Sequence, residues 1–175
     1  MIKIKQAVIV EGKYDKIKLD SILDATVIAV DGFRIFTDKE TLSLLRALAD
    51  KTGLLILTDS DVAGFKIRHY IAGAVGPGKV KHAYISDIFG KESRKEKPSK
   101  EGKLGVEGVP KEEILRALDA VQATDGVPLA TPANWVPGQD VIVALALDDA
   151  AAEAKYGQLD KKLPYLRFAR APKSA

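Results

Sequence analysis

The chain has 175 residues, 46% of them hydrophobic, with 27 Lys and Arg against 24 Asp and Glu for a net charge of +3. That is enough to bury a core of ordinary size, in one domain or one domain with a small appendage. Without cysteine there can be no disulfide, iron–sulfur cluster or thiolate zinc site, and with two histidines any metal site must be built mainly from oxygen, as for Mg²⁺ or Mn²⁺.

The N-terminal "MIKIKQAVIVEG" has too short an apolar run for a signal peptide, and no segment approaches membrane length. A soluble, cytoplasmic protein with no membrane partner is therefore expected. "QAVIV" (6–10) reads as a first strand, and "KYDKIKLDSIL" after it as a helix. "TVIAV" (26–30) is the second strand. The next helix, about 38–51, carries Leu42, Leu45, Leu48 and Ala49 on one face. "LLILT" (54–58) is the third strand, followed by a helix with Ile67, Tyr70, Ile71, Ala74 and Val75 at helical spacing. "HAYI" (82–85) is the fourth.

Near-continuous apolar strands alternating with helices predict an α/β fold: a parallel sheet of about four strands covered on both faces. Right-handed crossovers bring every loop that follows a strand to one edge, where open α/β sheets keep their sites. Residues 90–109 read as a loop, and 91–103 hold six Lys or Arg against three Glu. A helix follows, with Pro110 in its first turn, Glu112 and Glu113 at its positive end, and Ile114, Ala117, Leu118 and Val121 as its apolar face. Beyond Thr124 the signal weakens. "VIVALALDDAAAEAKYG" suggests a helix closed by Gly157, and 161–175 hold five Lys or Arg and no acid. Trp135, in "PANWVPG", suits a hydrophobic anchor better than a base-stacking platform, and His69 and His82, each solitary, suit structural or surface roles. Basic patches of this kind fit a polyanionic partner or simply a solvated loop and tail.

The first strand runs into "VEGKYD" and the third into "TDSDVAG". In a parallel sheet, Glu11, Asp59 and Asp61 emerge at the same edge, and three carboxylates together call for a hard divalent cation. Gly12 and Gly64 lie near helix starts, where a phosphate can approach backbone N–H groups, with Lys13, Lys66 and Arg68 nearby. Acids, metal and a basic rim together suit phosphodiester hydrolysis. The competing reading is a plain helix cap: an Asp after a strand commonly serves as an N-cap, and Asp61 before "VAGFKI" fits that equally well.

A Glu-Gly turn after strand one, with Asp-x-Asp-x-x-Gly after strand three, resembles the TOPRIM domain of topoisomerases, primases and several nucleases. "VEGKYD", "LTDSDVAGFKIR", "KHAYI" and "GKLGVEGV" are similar to the ribonuclease M-five family within it, over roughly residues 3–120. The resemblance implies a TOPRIM catalytic domain over 1–122, including the basic loop, and a divergent C-terminal region over 123–175 with a role in RNA binding. It implies a Mg²⁺-dependent endoribonuclease, with Mn²⁺ as a substitute, maturing 5S rRNA precursor, with the ribosomal protein bound to 5S rRNA as a partner. Asp59 and Asp61 match its metal-binding pair, and Glu11 its general acid/base or metal ligand. Asp15 matches a supporting acid, or else places a favourable charge in the first helical turn. Gly64, Lys66 and Arg68 match substrate-side positions; Lys13, Arg34 and the loop 91–103 are expected to grip phosphates. Glu107 falls in the "GVEG" element.

Two departures stand out. Residues 124–175 lack the Arg-rich helical pattern with an Asn-Gly-Lys turn expected of that family's second domain, and Ser60 stands where proline is common. Other readings remain: a metal-holding RNA-binding TOPRIM protein that does not cleave, or a TOPRIM nuclease or primase-like protein acting on DNA. A complete topoisomerase or primase needs more chain than this. A zinc-bearing recombination mediator needs cysteines, and a signalling receiver domain needs an acidic pair after strand one.

Overall fold

The computed structural model describes residues 1–91, 96, 97, 99 and 101–171. The chain divides into two compact units, Met1–Ile114 and Leu115–Ala175, a division that falls within a helix rather than at the expected boundary near 122.

In the first unit, β2 (Ala7–Val10), β4 (Val27–Ala29), β5 (Leu54–Ile56) and β6 (Val80–His82) form a four-stranded sheet in the order β4-β2-β5-β6, every pair parallel. The fourth strand thus begins and ends slightly earlier than "HAYI" suggested. A short parallel pair, β1 (Ile2–Lys3) with β3 (Leu23–Asp24), lies outside this sheet. The central strands β2 and β5 are buried along their whole length, as parallel strands covered on both faces must be.

The helices are α1 (Lys13–Asp20), α2 (Lys39–Lys51) and α3 (Val62–Val75), with a 3-10 turn over Gly32–Phe36. The predicted faces hold. Leu45 and Ala49 of α2 and Ile67 and Ile71 of α3 join Ala7, Ile9, Leu54 and Ile56 in one core, and Leu42 of α2 is also buried. Asp38 caps α2 by accepting the Thr41 N–H at 2.9 Å. The helix α4 (Lys111–Ala123) runs where Pro110 and its acidic first turn predict.

The second unit corrects the sequence expectation. "VIV" at Val141–Val143 is not helical but strand β8; the helix, α5, is confined to Asp149–Tyr156 and does end at Gly157. Asp148 is the reason: its carboxylate accepts the Ala151 N–H at 2.7 Å and starts the helix there. With β7 (Leu129–Ala130), β9 (Asp160–Leu163) and β10 (Leu166–Ala169), β8 forms an antiparallel sheet ordered β7-β8-β10-β9. Trp135 is buried in this unit's own core with Leu129, Val141, Val143, Ala152 and Leu159, and its indole N–H donates to the Gln139 carbonyl at 3.0 Å. It is the anchor expected. Arg167, also buried, binds Asp149 at 2.7 Å and the carbonyls of Ala144 and Leu147, which ties the β8–α5 connection down. No helix of the described residues is long and apolar enough to cross a membrane.

Candidate active site

Parallel pairing decides where the acids go. Ile9 of β2 lies beside Ile56 of β5, and the Leu57 N–H continues the ladder to the Ile9 carbonyl. Glu11, directly after β2, and Asp59, shortly after β5, therefore leave neighbouring strands at the same edge of the sheet. Asp61 follows as the N-cap of α3. The Glu11 carboxylate leans toward Gly32, at the start of the 3-10 turn, so the loop after β4 also joins this edge.

The aspartates are held by backbone. Asp59 Oδ1 accepts the Val106 N–H at 2.8 Å, and Asp61 Oδ1 accepts the Gly64 N–H at 2.8 Å. The cap reading of Asp61 is thus realised through one of its two oxygens. Asp15 is buried and accepts from Gly12 N–H at 3.0 Å and from Glu107 N–H at 2.9 Å. Burial, reinforced by the neighbouring Asp59 charge, pushes its carboxyl up to about 6. Lys18 closes the same loop by donating to the carbonyls of Glu107 and Val109.

The segment 105–109 is the part that sequence reasoning did not place. It lies over Asp15 and Asp59 and supplies both with N–H donors. Gly105 permits the approach, since a Cβ there would stand 2.6 Å and 2.9 Å from the two Asp59 carboxylate oxygens. The glycines flanking Glu107 were a signal of such close backbone contact.

Two expectations need correction. Arg68 is not at the surface. It is 2% exposed, and its guanidinium donates to the carbonyls of Ile56, Thr58 and Ala83 at 2.7–3.0 Å, so it braces the strand ends rather than meeting substrate. Gly64 does not present its N–H to a phosphate, because Asp61 already takes it. The glycine is there because a Cβ would sit 2.2 Å from the Asp59 carbonyl oxygen. The Val62 N–H, at the first position of α3, is likewise taken, by Glu101 at 3.1 Å. Of the basic loop 91–103, residues 92–95, 98 and 100 lie outside the described residues. Lys103 within it is committed to Asp87, Glu101 and the Ser60 carbonyl.

Lys13, Arg34 and Lys66 are exposed at or near this edge. Arg34, from the 3-10 turn, pairs loosely with Asp31 and Asp38 at 3.9 Å and 3.6 Å. His69 is exposed on α3. Among the described residues, no group of three or more His, Cys, Asp or Glu side chains is arranged to hold a metal ion. The donor chemistry nonetheless suits a hard cation: Glu11, Asp59 and Asp61 offer only carboxylate oxygens, on one edge. The hydrogen bonds that Val106 and Gly64 donate hold the two aspartates in their present positions.

A parallel sheet with acids at the ends of its first and third central elements defines a TOPRIM-type site, and the Toprim domain family matches residues 5–86. Ribonuclease M5 of Clostridium botulinum is 40% identical over 116 residues, covering 66% of this chain and 58% of the relative. Ribonuclease M5 of Lactiplantibacillus plantarum is 32% identical over 164 residues, covering 93% of this chain and 81% of the relative. The chain belongs to the Ribonuclease M5 family. It spans 58% of the length of the Clostridium botulinum protein.

The C-terminal unit has a different likeness. Residues 120–158 match the C-terminal domain of 1-Cys peroxiredoxin. Mitochondrial peroxiredoxin PRX1 of Saccharomyces cerevisiae is 45% identical over 58 residues, 33% of this chain and 22% of that protein. This accounts for the missing Arg-rich pattern beyond residue 124: the segment has a separate sequence relationship. This chain, having no cysteine, brings no thiol to it.

Proposed function

We propose that this chain is a Mg²⁺-dependent endoribonuclease that cleaves phosphodiesters in structured RNA, with 5S rRNA precursor as its substrate. The observation that carries the reading is the emergence of Glu11 and Asp59 from adjacent parallel strands, with Asp61 just beyond, in a chain of the Ribonuclease M5 family. Glu11, Asp59 and Asp61 are the residues that would hold the ion, with Mn²⁺ as a substitute. When bound, such an ion lowers the pKa of a coordinated water and stabilises charge on phosphoryl oxygens.

The chain's own residues do the rest. Asp15 and the 105–109 segment fix the position of Asp59 through the shared loop. Lys13, Arg34 and Lys66 take phosphates along the edge, and such contacts position RNA without reading its sequence. Discrimination then rests on RNA shape. The ribosomal protein bound to 5S rRNA is proposed as the partner that presents that shape, in the cytoplasm.

One observation favours the second reading, a metal-holding RNA-binding protein that does not cleave. Asp59 and Asp61 each spend an oxygen on a backbone N–H. Incubation of the purified chain with 5S precursor, with and without Mg²⁺ and the ribosomal protein, separates the two. Mg²⁺-dependent products that vanish in Glu11→Gln and Asp59→Asn, with RNA affinity retained, establish the enzyme. Retained affinity without products under any condition establishes the binder.

A further inference from the structure

Beside the acidic edge lies an open groove of about 570 Å³ lined by Phe36, Val62, Phe65, Lys66 and His69. Its apolar members are unusually accessible: Phe36 is 38% exposed, Phe65 40% and Val62 61%. Single exposed hydrophobic residues are ordinary, but a contiguous apolar patch with a charged rim marks a binding surface. This one is also braced from behind. Phe36 packs edge-on against Tyr70, with ring centroids 4.7 Å apart. Phe65 lies 6.3 Å from the ring of Tyr84, which rests on the buried Arg68 guanidinium at 4.5 Å. The two phenylalanines are thus held in place while parts of their rings remain open to solvent.

The rim is cationic and polar. Lys66 follows Phe65 directly. His69 Nδ1 lies 2.8 Å from the Phe65 carbonyl, an obligate acceptor, so Nδ1 carries the proton and Nε2 of the neutral ring is left as a hydrogen-bond acceptor. The groove's walls come from the same segments as the candidate active site: Val62 is the residue after Asp61, and Phe36 closes the 3-10 turn that begins beside Glu11.

We propose that this groove is a stacking subsite for an unpaired nucleobase of the RNA, next to the phosphate at the acidic edge, with Phe36 and Phe65 contacting the base and Lys66 its flanking phosphate. Charge complementarity selects this occupant: a flat aromatic ring joined to a phosphate meets apolar wall and cationic rim together. Stacking on aromatic side chains accepts any base, because every base has a π-face. The site therefore selects for an unstacked nucleotide rather than a particular sequence. The inference rests on reading the chain as an RNA-binding nuclease, and deepens it.

The test uses the full chain in EDTA, so that nothing is cut, and a single-stranded RNA octamer carrying one 2-aminopurine. The subsite predicts quenching of 2-aminopurine fluorescence on binding. Phe65→Ala and Phe65→Leu should each weaken binding about 5- to 100-fold and abolish the quench, while Phe65→Tyr restores both. Circular dichroism and a melting curve matching the unsubstituted chain establish that each variant is folded. Phe36→Ala, which also loses contact with Tyr70, serves as the second variant.

Equal affinity and equal quench in a folded Phe65→Leu variant overturn the subsite, as does the absence of any quench with the unsubstituted chain. A groove that serves a protein partner instead would give that result. The two readings fail separately. Quenching that depends on Phe65, in a protein that never cleaves 5S precursor, keeps the subsite and removes the nuclease. Mg²⁺-dependent cleavage unaffected by Phe65→Leu does the reverse.

Discussion

The backbone N–H of Val106 donates to Oδ1 of Asp59 at 2.8 Å, joining residues 47 apart in sequence. This bond makes the 105–109 segment part of the candidate site, and it depends on the lack of a side chain next door. In Gly105→Ala the new Cβ would meet the Asp59 carboxylate at 2.6 Å, so either the segment lifts or the carboxylate turns, and the Val106 bond is disturbed in both cases. The expected result is a loss of about 1–3 kcal/mol of stability in urea titration. RNA cleavage is expected to fall with it.

Gly64→Ala meets backbone instead. The Asp59 carbonyl oxygen would stand 2.2 Å from the added Cβ, and neither the strand end nor the first turn of α3 can rotate away. A destabilisation of about 3 kcal/mol is expected, larger than for Gly105→Ala. Comparing the two denaturation midpoints checks the order.

Lys66 and Arg68 carry the same charge two residues apart, yet should behave oppositely. Lys66→Ala is expected to reduce the slope of log affinity against log salt by about 1, as the loss of one phosphate contact does. Arg68→Lys should leave that slope unchanged. It should instead lower the melting temperature, because one ammonium cannot serve the carbonyls of Ile56, Thr58 and Ala83 as the guanidinium does.

Asp15 gives the stability a pH dependence of definite sign. Its carboxyl sits at about 6 in the folded chain against 3.8 in the open one, so between those values the folded state holds the proton more firmly. Its contribution is therefore most favourable below pH 3.8, falls as pH rises through that window, and is level above it. In metal-free buffer, the unfolding free energy of the unsubstituted chain minus that of Asp15→Asn should drop by about 3 kcal/mol across it. A difference that stays constant or climbs contradicts the assignment.

The strands and helices of the first unit were legible because their apolar residues repeat at strand or helix spacing and their order fixes a parallel sheet. The acids were legible for the same reason: a residue that follows a parallel strand has only one edge on which to emerge. The charge of Arg68 points to the surface, but its helical position is the stronger signal. Its position four residues from Gly64 and three from Ile71 puts it on the buried face of α3. The contacts of Val106 and Glu107 with Asp59 and Asp15 join distant parts of the chain, and no local period encodes them. In the second unit the apolar "VIVALAL" masks the start of the helix, which only the capping signal of Asp148 marks.

Arg68 has one more effect. Burial lowers its pKa, and the nearby Asp59 charge acts in the opposite direction, so the cation beneath the acidic edge is coupled to the site above it. Unlike a mobile counterion, it is fastened to three carbonyls and cannot be dialysed away. A chelator acts only on ions that exchange with solution, so this fixed charge stays beside Asp59 whatever the buffer holds.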